Sequence, residues 1–128
     1  VPLQCEYYSL EGISMISRVL SQIRDTGVNP NLALLGVIMT MFDGRTRLAQ
    51  QVVGEVRNHF DDQVFETVIP RTTRLAEAPS FGQPIIYYDK YSVGAAAYEV
   101  LALEVLDRLE KLHAAQTPQS EPSDPQTK

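Results

Sequence analysis

Ala33-Leu34-Leu35-Gly36-Val37-Ile38-Met39-Thr40 is a short, nearly continuous apolar run. A strand with one wet face alternates apolar and polar residues, whereas a strand covered on both faces does not. The run therefore predicts a strand buried on both sides, as in a parallel sheet. After it, Asp43-Gly44 turns the chain. Thr46 is placed to cap a helix over about 47–60, with Leu48, Val52, Val56 and Phe60 at four-residue steps. Asp61-Asp62 ends that helix. Val64 to Ile69 is the next strand, stopped by Pro70.

The same alternation runs back from the apolar segment. Asn29-Pro30-Asn31 marks a turn. Leu10, Ile13, Ile16, Val19, Leu20 and Ile23 form the stripe of an amphipathic helix over 9–25, with Ser9 as N-cap and Gly27 as stop. Val1 to Cys5 reads as the end of a buried strand. On the far side, residues 70–91 form a long connection rich in turn-formers, a length that often carries function. Ser92 caps a last helix over about 93–113, with Val93, Ala97, Val100, Leu101 and Leu109 among its apolar positions. Residues 114–128 hold no large apolar side chain and read as a disordered polar tail. Strand, helix, strand, helix, strand, loop, helix predicts an α/β domain with a parallel sheet. Only about three strands are visible, which predicts further strands on the N-terminal side.

With 44% hydrophobic and 21% charged residues, the chain can build an ordinary core. No run approaches the ~20 apolar residues of a membrane helix. Val1-Pro2-Leu3-Gln4 does not resemble a signal peptide, and the lack of an initiator Met suggests a processed or excised segment. The single cysteine, Cys5, fits a reducing compartment and reads as a small buried hydrophobe. The net charge of −5 argues against a broad nucleic-acid face. Yet Arg45, Arg47, Arg57, Arg71 and Arg74, five of the 11 basic residues, fall within thirty positions and allow a local basic patch. Tyr7 and Tyr8 are expected to pack at a strand–helix junction, and Tyr87, Tyr88 and Tyr91 in a core or interface. No glycine is followed by lysine and none is spaced as Gly-x-Gly, so the chain holds neither a phosphate loop nor a dinucleotide fingerprint. His59 with Asp61 and Asp62 is the sole cluster suggestive of metal ligands, and it reads as a solvated helix end. No metal site is expected.

Three segments together carry a resemblance. They are Val1-Pro2-Leu3-Gln4-Cys5-Glu6-Tyr7-Tyr8-Ser9-Leu10-Glu11-Gly12, then Thr40-Met41-Phe42-Asp43-Gly44-Arg45-Thr46, then Ile69-Pro70-Arg71-Thr72-Thr73-Arg74-Leu75-Ala76-Glu77-Ala78-Pro79-Ser80-Phe81-Gly82. In order and spacing, from Val1 to about Leu109, the chain resembles the ParA/Soj chromosome- and plasmid-partitioning ATPases, relatives of MinD. The resemblance implies the C-terminal part of a doubly wound, mainly parallel sheet of the P-loop NTPase kind, spanning 1–113. The half with the phosphate loop, its lysine and the catalytic aspartate is absent, so this segment alone is expected neither to hydrolyse ATP nor to bind it tightly.

The resemblance also implies roles. Glu6 would face the nucleotide of a partner subunit; a solvated helix-start carboxylate is the alternative. Pro70, Arg71 and Thr72 would line the adenine, with Thr40 and Met41 near the base. Relatives commonly carry Asn-Val at Thr72-Thr73, which leaves backbone groups as the readers there. Arg45 and Arg74 match positions that bind DNA without sequence preference, and Arg47 and Arg71 could widen the patch. Arg45 reads as the opening of a helix, where a cation opposes the dipole, so phosphate contact explains it better than helix stability does. The intact protein would bind ATP and Mg2+, form a homodimer, bind non-specific DNA in the cytoplasm on the nucleoid, and respond to a ParB-type partner, without a membrane. The alternatives are a MinD-like membrane-positioning ATPase, against which the Pro-rich tail speaks, and an interaction module that never had a phosphate loop.

Overall fold

A computed structural model describes residues 1–116. The elements are β1 (Pro2–Gln4), α1 (Ser9–Asp25), β2 (Val37–Phe42), α2 (Arg47–Phe60), β3 (Val64–Pro70), α3 (Thr73–Glu77), α4 (Ile85–Tyr88) and α5 (Val93–Gln116). The three strands lie in the order β1-β2-β3, and both pairings are parallel. The expected α/β architecture is what forms.

Helices cover both faces of the sheet, which is why the strand residues are apolar on both sides. On one face Leu3, Cys5, Val37, Met39 and Val64 pack with Ile13 of α1 and Ala49, Val52 and Val56 of α2. On the other, Phe65 and Ile69 pack with Leu101, flanked by Ile38, Ala97 and Val105. Cys5 is buried, and burial pushes its thiol up to about 11, as suits a core hydrophobe.

Several boundaries differ from expectation. β2 begins at Val37 rather than near Ala33, because Leu34 and Leu35 supply side chains to opposite cores while their backbone pairs with no strand. It runs on to Phe42 because the Arg71 amide donates to the Phe42 carbonyl at 2.9 Å. Tyr8, not Ser9, holds the cap position of α1 and makes no side-chain cap bond. The long connection over 70–91 is mostly ordered into α3, a single 3-10 turn (Ala78–Phe81) and α4. Ala114, Ala115 and Gln116 continue α5 rather than starting the polar tail, as good helix formers do. The rest of that tail lies outside the described residues.

Tyr7 and Tyr8 do not pack into a junction. They stand exposed and contact each other edge to face. Tyr88 stacks on Phe81, whereas Tyr87 and Tyr91 face solvent. Met15, Ile16 and Val19 of α1 and Val100, Leu103 and Leu106 of α5 also face solvent.

Strand β3 lies at one margin of the sheet, where backbone groups would ordinarily stand open. Here α5 covers them. The Glu104 carboxylate accepts from the amides of Glu66 (2.7 Å) and Thr67 (3.0 Å) and from the Thr67 hydroxyl (2.8 Å). One turn on, Arg108 donates to the carbonyls of Val64 (2.7 Å), Leu35 and Gln63 (both 3.3 Å) and lies over the Phe65 ring. Burial works against ionisation of Glu104, but the Thr67 and Glu66 donors and the Arg108 charge outweigh it, and its pKa falls below the ordinary value.

Candidate functional site

In a parallel sheet all strands present the same end to the same side, and ligands gather beyond the carboxyl ends. This topology brings three distant segments to one edge: Cys5-Glu6 after β1, Phe42-Asp43 at the end of β2 and Pro70-Arg71-Thr72 at the end of β3. The Arg71 guanidinium donates to the Glu6 carboxylate at 2.9 Å, across 65 residues of sequence and over the end of the intervening strand. Both side chains are about half exposed, so the pair adds little stability. Its significance is positional: it shows Glu6 and Arg71 within reach of one another.

Beside this edge lies a cleft of about 660 Å³, within the size range of small-molecule sites. Thr40, Met41, Pro70, Arg71 and Thr72 all line it. Leu75, Ala76 and Tyr98 form its other wall. Met41 has φ +53, the left-handed region that costs a non-glycine residue on the order of 1–2 kcal/mol. The register between β2 and β3 slips at the same place, between Met39 and Phe42. Such strain persists where surrounding contacts enforce it, and it clusters at binding sites. Thr72 is occupied locally, because its hydroxyl accepts the Leu75 amide and caps α3.

The arginines divide into different settings. Arg45 lies in the turn before α2, with Thr46 as the cap, so it does not open the helix as expected. Its guanidinium is held by Asp43 through Nε–Oδ1 (2.9 Å) and Nη2–Oδ2 (2.8 Å). The Arg45 side-chain and amide bonds draw the Asp43 carboxyl down to about 2, with Arg71 adding to the field. It is Arg47, the first residue of α2, that faces the helix dipole, and among the described residues no ion pair holds it. Arg74 in α3 contacts Asp89 (3.3 Å) and Glu77 (3.6 Å), and its guanidinium carbon lies 6.0 Å from the Tyr88 ring centre. Arg74 therefore also ties α3 to the end of α4. Among the described residues no group of three or more metal-ligating side chains comes together.

Over residues 4–85 the chain matches the CobQ/CobB/MinD/ParA nucleotide binding domain. The chain belongs to this family. It is 53% identical over 111 residues to the chromosome-partitioning ATPase Soj of Thermus thermophilus, covering 87% of this chain and 44% of that protein. It is 49% identical over 108 residues to the chromosome partitioning protein ParA of Myxococcus xanthus, covering 84% and 38%. It is 50% identical over 105 residues to the sporulation initiation inhibitor protein Soj of Bacillus subtilis, covering 82% and 41%. The chain thus spans about two-fifths of the length of these ParA/Soj relatives. Asp43 and Tyr98 are the site neighbours that the sequence reading missed. Asp43 had a local signal, an aspartate two residues before an arginine in a turn. Tyr98 had none, because only the packing of α5 brings it to the cleft.

Among the described residues, no helix is long and apolar enough to cross a membrane.

Proposed function

We propose that this chain supplies the adenine-side loops, part of the dimer surface and DNA-contacting arginines of an ATP-dependent DNA-partitioning protein. In this reading the intact protein binds ATP with Mg2+, dimerises, and holds DNA without sequence preference in the cytoplasm on the nucleoid. A ParB-type partner then stimulates hydrolysis and releases the DNA. The observation that carries the reading is the convergence of Met41, Pro70, Arg71 and Thr72 on one cleft at the carboxyl edge of a parallel sheet. The cleft is mainly apolar, and the backbone at its rim can read a base edge, which fits adenine. The chain has no phosphate loop, so the groups that hold Mg2+ and the phosphates must come from elsewhere in the intact protein. Glu6 stays half exposed while paired with Arg71, which leaves it able to face a nucleotide on a second subunit.

Ala76 is exposed on the cleft wall, so added bulk there fills the cleft without disturbing the core. In the intact protein, Ala76→Phe is expected to weaken binding of a fluorescent ATP analogue about tenfold or more, a loss of ~1.4 kcal/mol, with little change in melting temperature. Wild-type affinity in that variant would remove the cleft from the nucleotide site. Arg45→Ala, in the ATP-loaded protein, is expected to lower affinity for double-stranded DNA of any sequence. The slope of log K against log salt should shrink by about 0.9, one phosphate contact.

A further inference from the structure

The turn between β2 and α2 has bonds of its own besides the one that the Asp43 carboxylate takes from the Arg45 amide. The Thr46 amide and hydroxyl both donate to the Asp43 backbone carbonyl, at 3.0 and 2.9 Å. The Gln50 side-chain amide donates to the Gly44 carbonyl at 2.8 Å. The Thr46 hydroxyl accepts the Ala49 amide and caps the helix. Among the described residues, the hydrogen bonds of the carboxylate all come from Arg45, from its amide (3.1 Å), its Nε and its Nη2, with the Arg71 charge adding to the field. The Arg45 side chain is nevertheless 90% exposed, and an ion pair so open to water stabilises the fold little.

A bidentate grip on the Nε side leaves the outer end of the guanidinium, with both Nη1 hydrogens, turned away from the carboxylate. A free arginine must give up rotamer freedom to grip a phosphate, equivalent to roughly tenfold or more in an equilibrium constant. An arginine already clamped loses less. Removing a carboxylate from an acidic protein would by charge alone favour a polyanion, so the two effects have opposite signs.

We propose that Asp43 is a positioning residue that holds Arg45 in one exposed rotamer, its outer edge presented to the phosphate backbone of DNA. This rests on the DNA contact of Arg45 proposed above. Glu6 does not compete for the role, since it is paired with Arg71 at the end of β3.

The test compares wild type, Asp43→Asn, Arg45→Ala and the double variant as intact ATP-loaded protein, titrated with a random-sequence DNA duplex across a salt series. Asparagine keeps an acceptor for the Arg45 amide but loses the charged two-point grip, and Asp43→Ser is a second variant that retains a turn-forming oxygen. The expected result is that Asp43→Asn weakens binding about three- to tenfold and reduces the salt slope by about 0.9, as Arg45→Ala does. Arg45→Ala then adds little in the Asp43→Asn background. If Arg45→Ala weakens binding while Asp43→Asn tightens it or leaves the slope unchanged, Asp43 does not position the arginine. If Arg45→Ala is silent in the wild-type background, the DNA contact itself is wrong and the role of Asp43 falls with it.

Discussion

Replacing Glu104 with alanine is expected to lower the unfolding free energy by about 2 kcal/mol, because one largely buried carboxylate serves three donors and a counter-charge at once. Its side chain is 19% exposed, and so is that of Arg108. The variant leaves the Glu66 and Thr67 amides and the Thr67 hydroxyl without this acceptor and removes the counter-charge of Arg108. Urea denaturation of the chain measures the loss, and a change under ~0.5 kcal/mol would show that the margin of β3 needs no such cover. The effect has a pH signature. The folded pKa of Glu104 lies below its ordinary value of 4.5, so its contribution is fully present above that value. It is lost as pH falls through the lower folded value. Glu104→Gln should therefore be less stable than wild type at neutral pH and lose less on acidification below about 4.5. Asp43, drawn down to about 2, would lose its own smaller contribution in a lower window.

Gly36→Ala is the second large effect. A β-carbon there would lie 2.5 Å from the Phe65 ring, 2.7 Å from Arg108 Nη1 and 2.8 Å from the Gln63 carbonyl. Arg108 can swing aside, but only by giving up its bonds to the Leu35 and Gln63 carbonyls. Phe65 is 2% exposed and Gln63 presents backbone, so neither yields easily. Overpacking of this kind costs about 1–3 kcal/mol or more. Because Gly36, Arg108 and Glu104 share one network, Gly36→Ala and Glu104→Ala should be non-additive by roughly 0.5–3 kcal/mol in a double-mutant cycle. Strict additivity would show that Arg108 does not couple them.

The sheet was legible because its evidence is local. An apolar run without alternation announced β2, and the stops at Asp43-Gly44 and Pro70 bounded its neighbours. Met41, Pro70, Arg71 and Thr72 were named through the family resemblance, and parallel order, once three strands are placed, brings their segments to one edge. What could not be read were long-range side-chain partnerships. Nothing in the string ties Glu104 to Thr67 or Arg71 to Glu6, because helix packing and strand order decide those distances. The turn-formers over 70–91 point to a loop when their long-range partners are unknown. The short helices there are held by Arg74 with Asp89 and by Tyr88 with Glu77. The cap at Thr46 puts Arg45 outside α2 and Arg47 inside it, so Arg47 is the cation that opposes the helix dipole.

Glu104 and Arg108 do for one border of the sheet what a neighbouring strand would otherwise do, whereas beyond β1 no strand follows among the described residues. Among the described residues, the border along Pro2–Gln4 is therefore the one left open to an added strand. A strand from the rest of the intact protein, joining the described sheet, would pair alongside Pro2–Gln4 and seal that border.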